Sequence, residues 1–253
     1  MVLTNNLTDR QKMVLSLLAE DGTLSVAEIS EKLGVSVVTV RSDLNRLAAK
    51  GHILRTRGGA LPAFHPSVAE RLRKNVHEKA RIARAAAELI HDGENVMIIA
   101  GTTTALIAQH LLGKRDIHIV TNSTLLFPPA RVNPSVHITL VGGEFRPSAE
   151  ALVGPITLRD LEQFHVKTAF LGTDGFSLEQ GITAHLVEIA EIVRKMAAQA
   201  ETLVLVADSS KYGHIGFAHI LPLEDIDTLI TDNGFRDEDR AKLQEQGIAV
   251  ITV

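Results

Sequence analysis

The amino-acid sequence predicts an α/β protein in two parts: a short helical N-terminal domain, then a larger Rossmann-like, mainly parallel α/β domain. Three observations predict it. Apolar residues recur at helical 3,4 spacing in three short segments before residue 50, each preceded by a capping residue. From residue 75 onward, short β-rich runs alternate with helical segments, the order that builds a parallel sheet covered by helices. Between them, Leu61–Lys74 carries Pro62, Pro66 and scattered charge, which suits a linker. The expected division is 1–60, a linker over 61–74, and 75–253.

Composition narrows the classes. At 253 residues the chain can hold two modest domains, and 45% hydrophobic with 22% charged residues is a globular composition. Without cysteine there is no disulfide framework, thiolate zinc site or cysteine nucleophile. The N-terminal MVLTNNLTDRQK lacks the basic-then-apolar order of a signal peptide. Runs such as Val96–Ala100 and Leu203–Ala207 are too short to cross a bilayer. The expectation is a cytoplasmic protein with no membrane partner.

Thr8 can cap a first helix over Asp9–Glu20, with Val14, Leu17 and Leu18 on one face and Gly22 beyond its end. Ser25 with Glu28 forms a capping-box pair opening a second helix whose Val26, Ile29 and Leu33 share a face. Gly34 supplies a left-handed turn, and Ser36 can cap a third helix running to Gly51. Val37, Val40, Leu44 and Leu47 form its apolar face. The opposite face carries Thr39, Arg41, Ser42 and Asn45, side chains of the types that reach phosphates and base edges. Periodicity alone leaves two readings open: a helix-turn-helix, or a plain three-helix bundle with a solvated outer face.

Charge and the next segment favour the first. Residues 1–60 hold eight of the 26 Lys/Arg and six of the 30 Asp/Glu, leaving 18 basic against 24 acidic residues in the remainder. Within Ser36–Ala60 there are five basic residues and one acidic, a local positive patch on a chain of net charge -4. His52–Thr56 reads as extended, and Arg55 and Arg57 precede Gly58-Gly59, whose freedom to turn makes a wing that meets phosphates or the minor groove.

The run GVSVVTVRSDLNRLAAKGHILRTRGGA resembles the DNA-binding signature of the DeoR family of bacterial sugar-metabolism repressors. It keeps Val35-Ser36, Thr39-Val40-Arg41, Asp43-Leu44, Gly51, Arg55 and Gly58-Gly59-Ala60. Ser42 stands where the family usually has a second arginine, and Arg57 where it has histidine, so operator preference is expected to differ. The resemblance implies a winged helix-turn-helix that contacts double-stranded operator DNA through Ser25, Ser36, Thr39, Arg41, Ser42, Asn45, Arg55 and Arg57.

In the second part, Asn75–Ile90 returns to helical spacing. Candidate strands are Asn95–Ala100, Ile117–Thr121, Val136–Val141, Val166–Leu171, Leu203–Ala207, Thr228–Thr231 and Ala249–Val253; helices are expected at Thr103–Leu112, Pro155–Phe164, Val187–Ala200 and Asp237–Gln246. Ligands of such sheets gather at the carboxyl ends of strands. Five successive strand ends carry polar motifs: Gly101–Thr104, Thr121–Ser123, Gly142–Arg146, Gly172–Gly175 and Asp208–Lys211. Each alone could be a turn or a cap, but together they favour a polar pocket, with Gly101–Thr104 opening a helix as an anion site.

These five elements extend the DeoR resemblance across nearly the whole chain. It implies a fold similar to ribose-5-phosphate isomerase and a phosphorylated sugar as effector. By that resemblance Gly101, Thr102, Thr103 and Thr104 hold the phosphate, Asp174 with Gly175 and Lys211 face the sugar, Asn122 and Ser123 line the pocket, and Arg146 binds an anionic group or closes the pocket. Ile99-Ala100 departs from the family's Asp and small polar residue, so the sugar cannot be copied from a relative. No cofactor or metal is expected: His110, His118, His137, His185, His214 and His219 lack ligand spacing. Two alternatives stay open. One is a sugar-phosphate isomerase-like enzyme using Asp174, Glu188 and Lys211; the other is a C-terminal domain that only oligomerises. A dimer or tetramer is expected in either case, because helix-turn-helix proteins read paired half-sites.

Overall fold

Local capping and periodicity account for most of the elements of the computed structural model, which describes residues 7–253. The first half of the segment read for a leader, residues 1–6, lies outside the described residues. The chain divides into two compact units at the Lys74–Asn75 bond.

The N-terminal unit contains α1 (Asp9–Glu20), α2 (Val26–Leu33), α3 (Val37–Ala49), an antiparallel hairpin of β1 (Ile53–Arg55) and β2 (Ala60–Pro62), and α4 (Pro66–Arg73). Thr8 with Gln11 and Ser25 with Glu28 form full capping boxes, while the Ser36 hydroxyl accepts from Thr39 N–H at 3.1 Å. Gly34 takes φ +64° between α2 and α3, a conformation that glycine enters without a Cβ clash. Val14, Leu18, Ile29, Val40, Leu44, Leu47 and Ile53 close one core.

Leu15 joins Val14 and Leu18 in the core, and Leu17 packs half-buried against it. Two expectations are corrected here. Val37 is 37% exposed, because helical spacing assigns a residue to a face and not to a depth. The expected linker 61–74 is ordered as the end of β2 and all of α4; a proline at the first helical position starts a helix as readily as it marks a linker.

The second unit opens with α5 (Val76–Glu88). Its sheet is entirely parallel, in the order β14-β13-β11-β8-β3-β4-β5. In chain order these are β3 (Asn95–Ile98), β4 (Ile117–Thr121), β5 (Val136–Leu140), β8 (Val166–Leu171), β11 (Ala200–Val206), β13 (Thr228–Thr231) and β14 (Ala249–Thr252). β6 (Glu144–Arg146) pairs with β7 (Ala151–Val153), and β9 (Gly175–Ser177), β10 (Gly181–Ala184) and β12 (Ala218–Leu221) form a small antiparallel sheet. The remaining helices are α6 (Phe127–Ala130), α7 (Pro155–Leu161), α8 (Val187–Ala197) and α9 (Asp237–Glu245).

Alternation along the strands divides the core. Val96, Ile98, Ile119, Phe170, Val204 and Ile230 share one cluster with Ile82, Ala83 and Ala86 of α5. Met97, Val120, Leu171, Leu205 and Leu229 belong to the other, with Leu161 of α7 and Ile192, Val193 and Met196 of α8. Both faces of the sheet are therefore covered, as parallel sheets require. From β3 the chain builds outward through β4 to β5, then returns to the other side of β3 as β8 and continues to β14. The order thus reverses between β3 and β8, and the crevice at such a reversal is where open α/β sheets bind ligands.

The helix expected over Thr103–Leu112 is instead a 3-10 helix, Thr104–His110. Its buried Thr104, Ala105, Ile107 and Ala108 fit windings of 3.0 and 3.6 residues equally over two turns, so spacing could not separate them.

Candidate DNA-reading and sensing sites

On α3, Arg41, Ser42, Asn45 and Arg46 are exposed along the outer face, joined by Val38, which is 75% exposed. Sequence reasoning missed Val38, because an exposed apolar residue carries no polar signal. Thr39 is half-buried with its hydroxyl 2.9 Å from the Ser36 hydroxyl. Ser36 and Ser25 both spend their hydroxyls on caps, Ser25 accepting from Glu28 N–H at 3.2 Å. Those three residues fix helix starts, and the outer face of α3 carries Val38, Arg41, Ser42, Asn45 and Arg46.

The opposite side of α3 holds a second feature missed in the sequence. Asp43 is 2% exposed and accepts from Arg10 Nε at 2.5 Å, Arg10 Nη2 at 3.4 Å and Gln11 Nε2 at 3.3 Å. The one acidic residue of the basic segment therefore ties α3 to α1 and takes no part in the outer surface. The pairing raises the pKa of Arg10, chiefly through the hydrogen bond to Asp43. Asp43→Ala is expected to cost about 2 kcal/mol of stability, because it removes the charged acceptor of the buried Gln11 amide; the partly exposed Arg10 returns to water. Urea unfolding should show it as a lower midpoint with an unchanged slope.

The wing presents Arg55 and Arg57 to solvent. Its tip is anchored: Val26 N–H donates to Gly58 carbonyl at 2.9 Å, and Gly59 forms an isolated bridge with Ser25. A Cβ on Gly59 would lie 2.7 Å from the Leu24 carbonyl oxygen, so Gly59 serves close approach, while Gly58 at φ +91° makes the turn. At the base of the wing, burial with Lys50 and Arg73 nearby pushes His52 below its ordinary pKa.

The strand ends of the second unit separate into committed and uncommitted groups. In the loop after β3, a Cβ on Gly101 would meet Thr104 Oγ1 at 2.7 Å. The Thr104 hydroxyl donates to the Gly101 carbonyl at 3.1 Å and is fully buried, so it closes the loop on itself. Thr102 and Thr103 are the hydroxyls of that loop with no hydrogen bond among the described residues. A Cβ on Gly172 would lie 3.6 Å from the Thr104 methyl, which brings the loops after β3 and β8 together at the reversal.

Asn122 and Ser123 are both fully buried, with their side chains committed to backbone partners. Asn122 accepts from Ala100 N–H at 2.9 Å and donates to the Leu152 carbonyl at 3.0 Å, while Ser123 accepts from Leu126 N–H at 3.2 Å. They brace the loops of β3, β4 and β7. Gly175 is likewise buried: a Cβ there would lie 2.2 Å from the His214 carbonyl oxygen. Asp174 is half-buried, and its Oδ2 accepts from His185 N–H at 2.8 Å.

Arg146 is ion-paired to Glu188 through Nη2, and its Nε is buried without a partner among the described residues. The carboxylate considered as a base in an isomerase is thus held by a guanidinium. Lys211 ends the 3-10 turn Ser209–Lys211, is half-buried, and makes no ion pair among the described residues. Asp232 secures that turn, accepting from Ser209 N–H at 2.7 Å and Oγ at 2.9 Å. These bonds hold the Asp232 carboxyl below its usual pKa against the opposing effect of burial, the largest single influence.

Comparison with known proteins agrees with this division. A model of the DeoR-like helix-turn-helix domain matches residues 10–63, and a model of the DeoR C terminal sensor domain matches residues 74–233. The chain is 31% identical over 252 residues to a putative aga operon transcriptional repressor of Escherichia coli O157:H7, covering 97% of this chain and 94% of that protein. It is 36% identical over 228 residues to the HTH-type transcriptional repressor GlcR of Bacillus subtilis strain 168, covering 88% of each. A ribose-5-phosphate isomerase in complex with phospho-erythronic acid aligns over 53% of this chain and 52% of its own at 18% identity and a TM-score of 0.40, too low to bear on chemistry. The curated relatives are regulators and not enzymes, which removes the isomerase alternative. With the sensor model alone matching more than half of it, the chain belongs to the DeoR family of DNA-binding transcriptional regulators.

Proposed function

We propose that the protein is a cytoplasmic repressor of a carbohydrate-metabolism operon that binds double-stranded operator DNA as a homo-oligomer and is released by a phosphorylated sugar. The observation carrying the sensing half is the approach of Gly172 to Thr104, which joins two polar loops at the sheet reversal. There Thr102 and Thr103 offer unspent hydroxyls near the start of the 3-10 helix, and Lys211 adds a cation on the loop after β11. Gly101 and Thr104 shape this loop, and Asp174 meets the sugar through its remaining oxygen. A phosphate suits the first set, and a hydroxylated carbon chain the second.

On the DNA side, α3 lies in the major groove. Arg41 and Asn45 read base edges, Ser42 reaches a phosphate, and Val38 makes the apolar contact that a thymine methyl group offers. Arg55 and Arg57 grip the backbone or minor groove beside it. Two copies arranged about a two-fold axis would read a palindromic site.

The test is a thermal-shift panel of pentose and hexose phosphates on the full-length protein, run beside inorganic phosphate and the unphosphorylated sugars. One sugar phosphate should raise Tm in a dose-dependent way at micromolar to millimolar concentration and weaken binding to a duplex selected by the protein from a random pool. Absence of any shift at millimolar ligand, with DNA binding intact, would mean that the sensor domain only oligomerises.

A further inference from the structure

Asn75 is the first residue of the second unit, and its backbone is left-handed, at φ +51° and ψ +43°. It occupies the N-cap of α5, where an asparagine side chain ordinarily accepts from the first helical N–H groups, yet it makes no such bond. Its amide donates instead to Asp208 Oδ1 at 2.8 Å and to Ser210 Oγ at 3.2 Å. The Ser210 hydroxyl in turn donates to the same Asp208 oxygen. Asp208 is 2% exposed, so the amide satisfies a carboxylate with little access to water. A favourable cap has been given up for a contact with a loop 133 residues away, and that loop ends in Lys211.

We propose that Asn75 is the positioning residue that couples the Asp208–Lys211 loop to the DNA-binding unit. It rests on the effector reading of that loop for its physiological trigger, though not for its mechanics. While both hydrogen bonds hold, Asn75 stays in the left-handed region, which asparagine enters more readily than other non-glycine residues but which is not the extended backbone of a capping residue. A loop movement that releases the amide frees it to cap α5 and allows φ and ψ to return to the extended region. That rotation redirects the chain at the Lys74–Asn75 bond, one residue from α4. Effector contacts that favour one loop position over the other then bias the direction of the chain leading to the helix-turn-helix.

Two substitutions isolate the amide from the backbone. Asn75→Gly keeps positive φ at no steric cost and removes only the side chain, and Asn75→Asp keeps the shape but faces Asp208 with a like charge. Ser210→Ala removes the other end of the link. The experiment measures the Kd of the full-length protein for the selected duplex in a double-mutant cycle of Asn75→Gly and Ser210→Ala, with Tm as the folding control. Each single variant is expected to change Kd by about fivefold or more, and the double variant by no more than the larger single change. Additive effects, or none in stably folded variants, overturn the proposal; if Asn75→Gly fails to fold, Asn75→Asp takes its place in the cycle. A second arm measures the ratio of Kd with and without the sugar phosphate found by the panel. Both Asn75 variants should keep the ligand-induced Tm shift while that ratio falls toward one, and a ratio equal to wild type overturns the coupling. If no sugar phosphate acts on the wild type, the effector reading fails, and the cycle alone still decides the role of Asn75.

Discussion

Arg41→Ala lowers operator affinity by about 1–3 kcal/mol, roughly 5- to 150-fold, while leaving the sugar-phosphate Tm shift as it is in wild type. Arg41 lies in the N-terminal half of α3, the part of a recognition helix that meets base edges. It is exposed and makes no ion pair among the described residues, so its guanidinium is available for the bidentate contact that guanine O6 and N7 accept. Alanine is the strongest helix former and Arg41 is exposed, so the variant should unfold at the wild-type temperature. The salt dependence identifies what Arg41 touches. A base contact relaxes specificity at one position of the site with the salt slope nearly unchanged, whereas a phosphate contact weakens all sequences alike and reduces the slope by about one. Fluorescence anisotropy on the selected duplex and single-base variants, at several salt concentrations, separates these outcomes.

On the proposed function, Lys211→Ala is expected to give the converse protein, one that binds the operator but needs roughly 10- to 150-fold more effector to release it, the loss for a charge-assisted hydrogen bond of about 1.5–3 kcal/mol. The ammonium is carried on a firmly held turn. Beneath it Tyr212 packs edge-on against Phe176 and Phe235, with ring centroids 5.3 and 5.0 Å apart, and Asp232 fastens Ser209. Because the cation itself takes no part in those contacts, its removal should leave the turn in place. Isothermal titration with the ligand identified by the panel, followed by operator release curves, measures both effects. Loss of operator binding and effector response together in a folded Arg41 or Lys211 variant would show that reading and sensing are not divided between the two units.

The elements of the fold were legible wherever the determining interactions lie within about four residues. The Thr8 cap, the Ser25–Glu28 capping box, the left-handed turn at Gly34 and the short β-rich runs of β3 and β11 are all of this kind. The 3-10 form of 104–110 was not, because two turns are too short for the two periods to diverge. Nor was α4, whose proline fits a linker and a helix start alike.

In the sites, the sequence by itself determined which chemistry gathers where: the basic, hydroxyl and amide groups of α3 and the wing, and polar loops at the strand ends that face the sheet reversal. Only the tertiary structure decided which of those groups remain free to meet a partner. Asn122 is spent on Leu152 thirty residues on, Arg146 on Glu188, Asp43 on Arg10, and Asn75 on Asp208. A residue's type limits the hydrogen bonds it can make. Whether a neighbour from a distant segment has already taken them depends on how the chain packs, and local sequence does not encode that. Among the described residues the side chains of Arg41, Arg55, Arg57, Thr102, Thr103 and Lys211 keep their hydrogen-bonding capacity unspent, and on the function proposed above they are the groups that meet DNA and ligand.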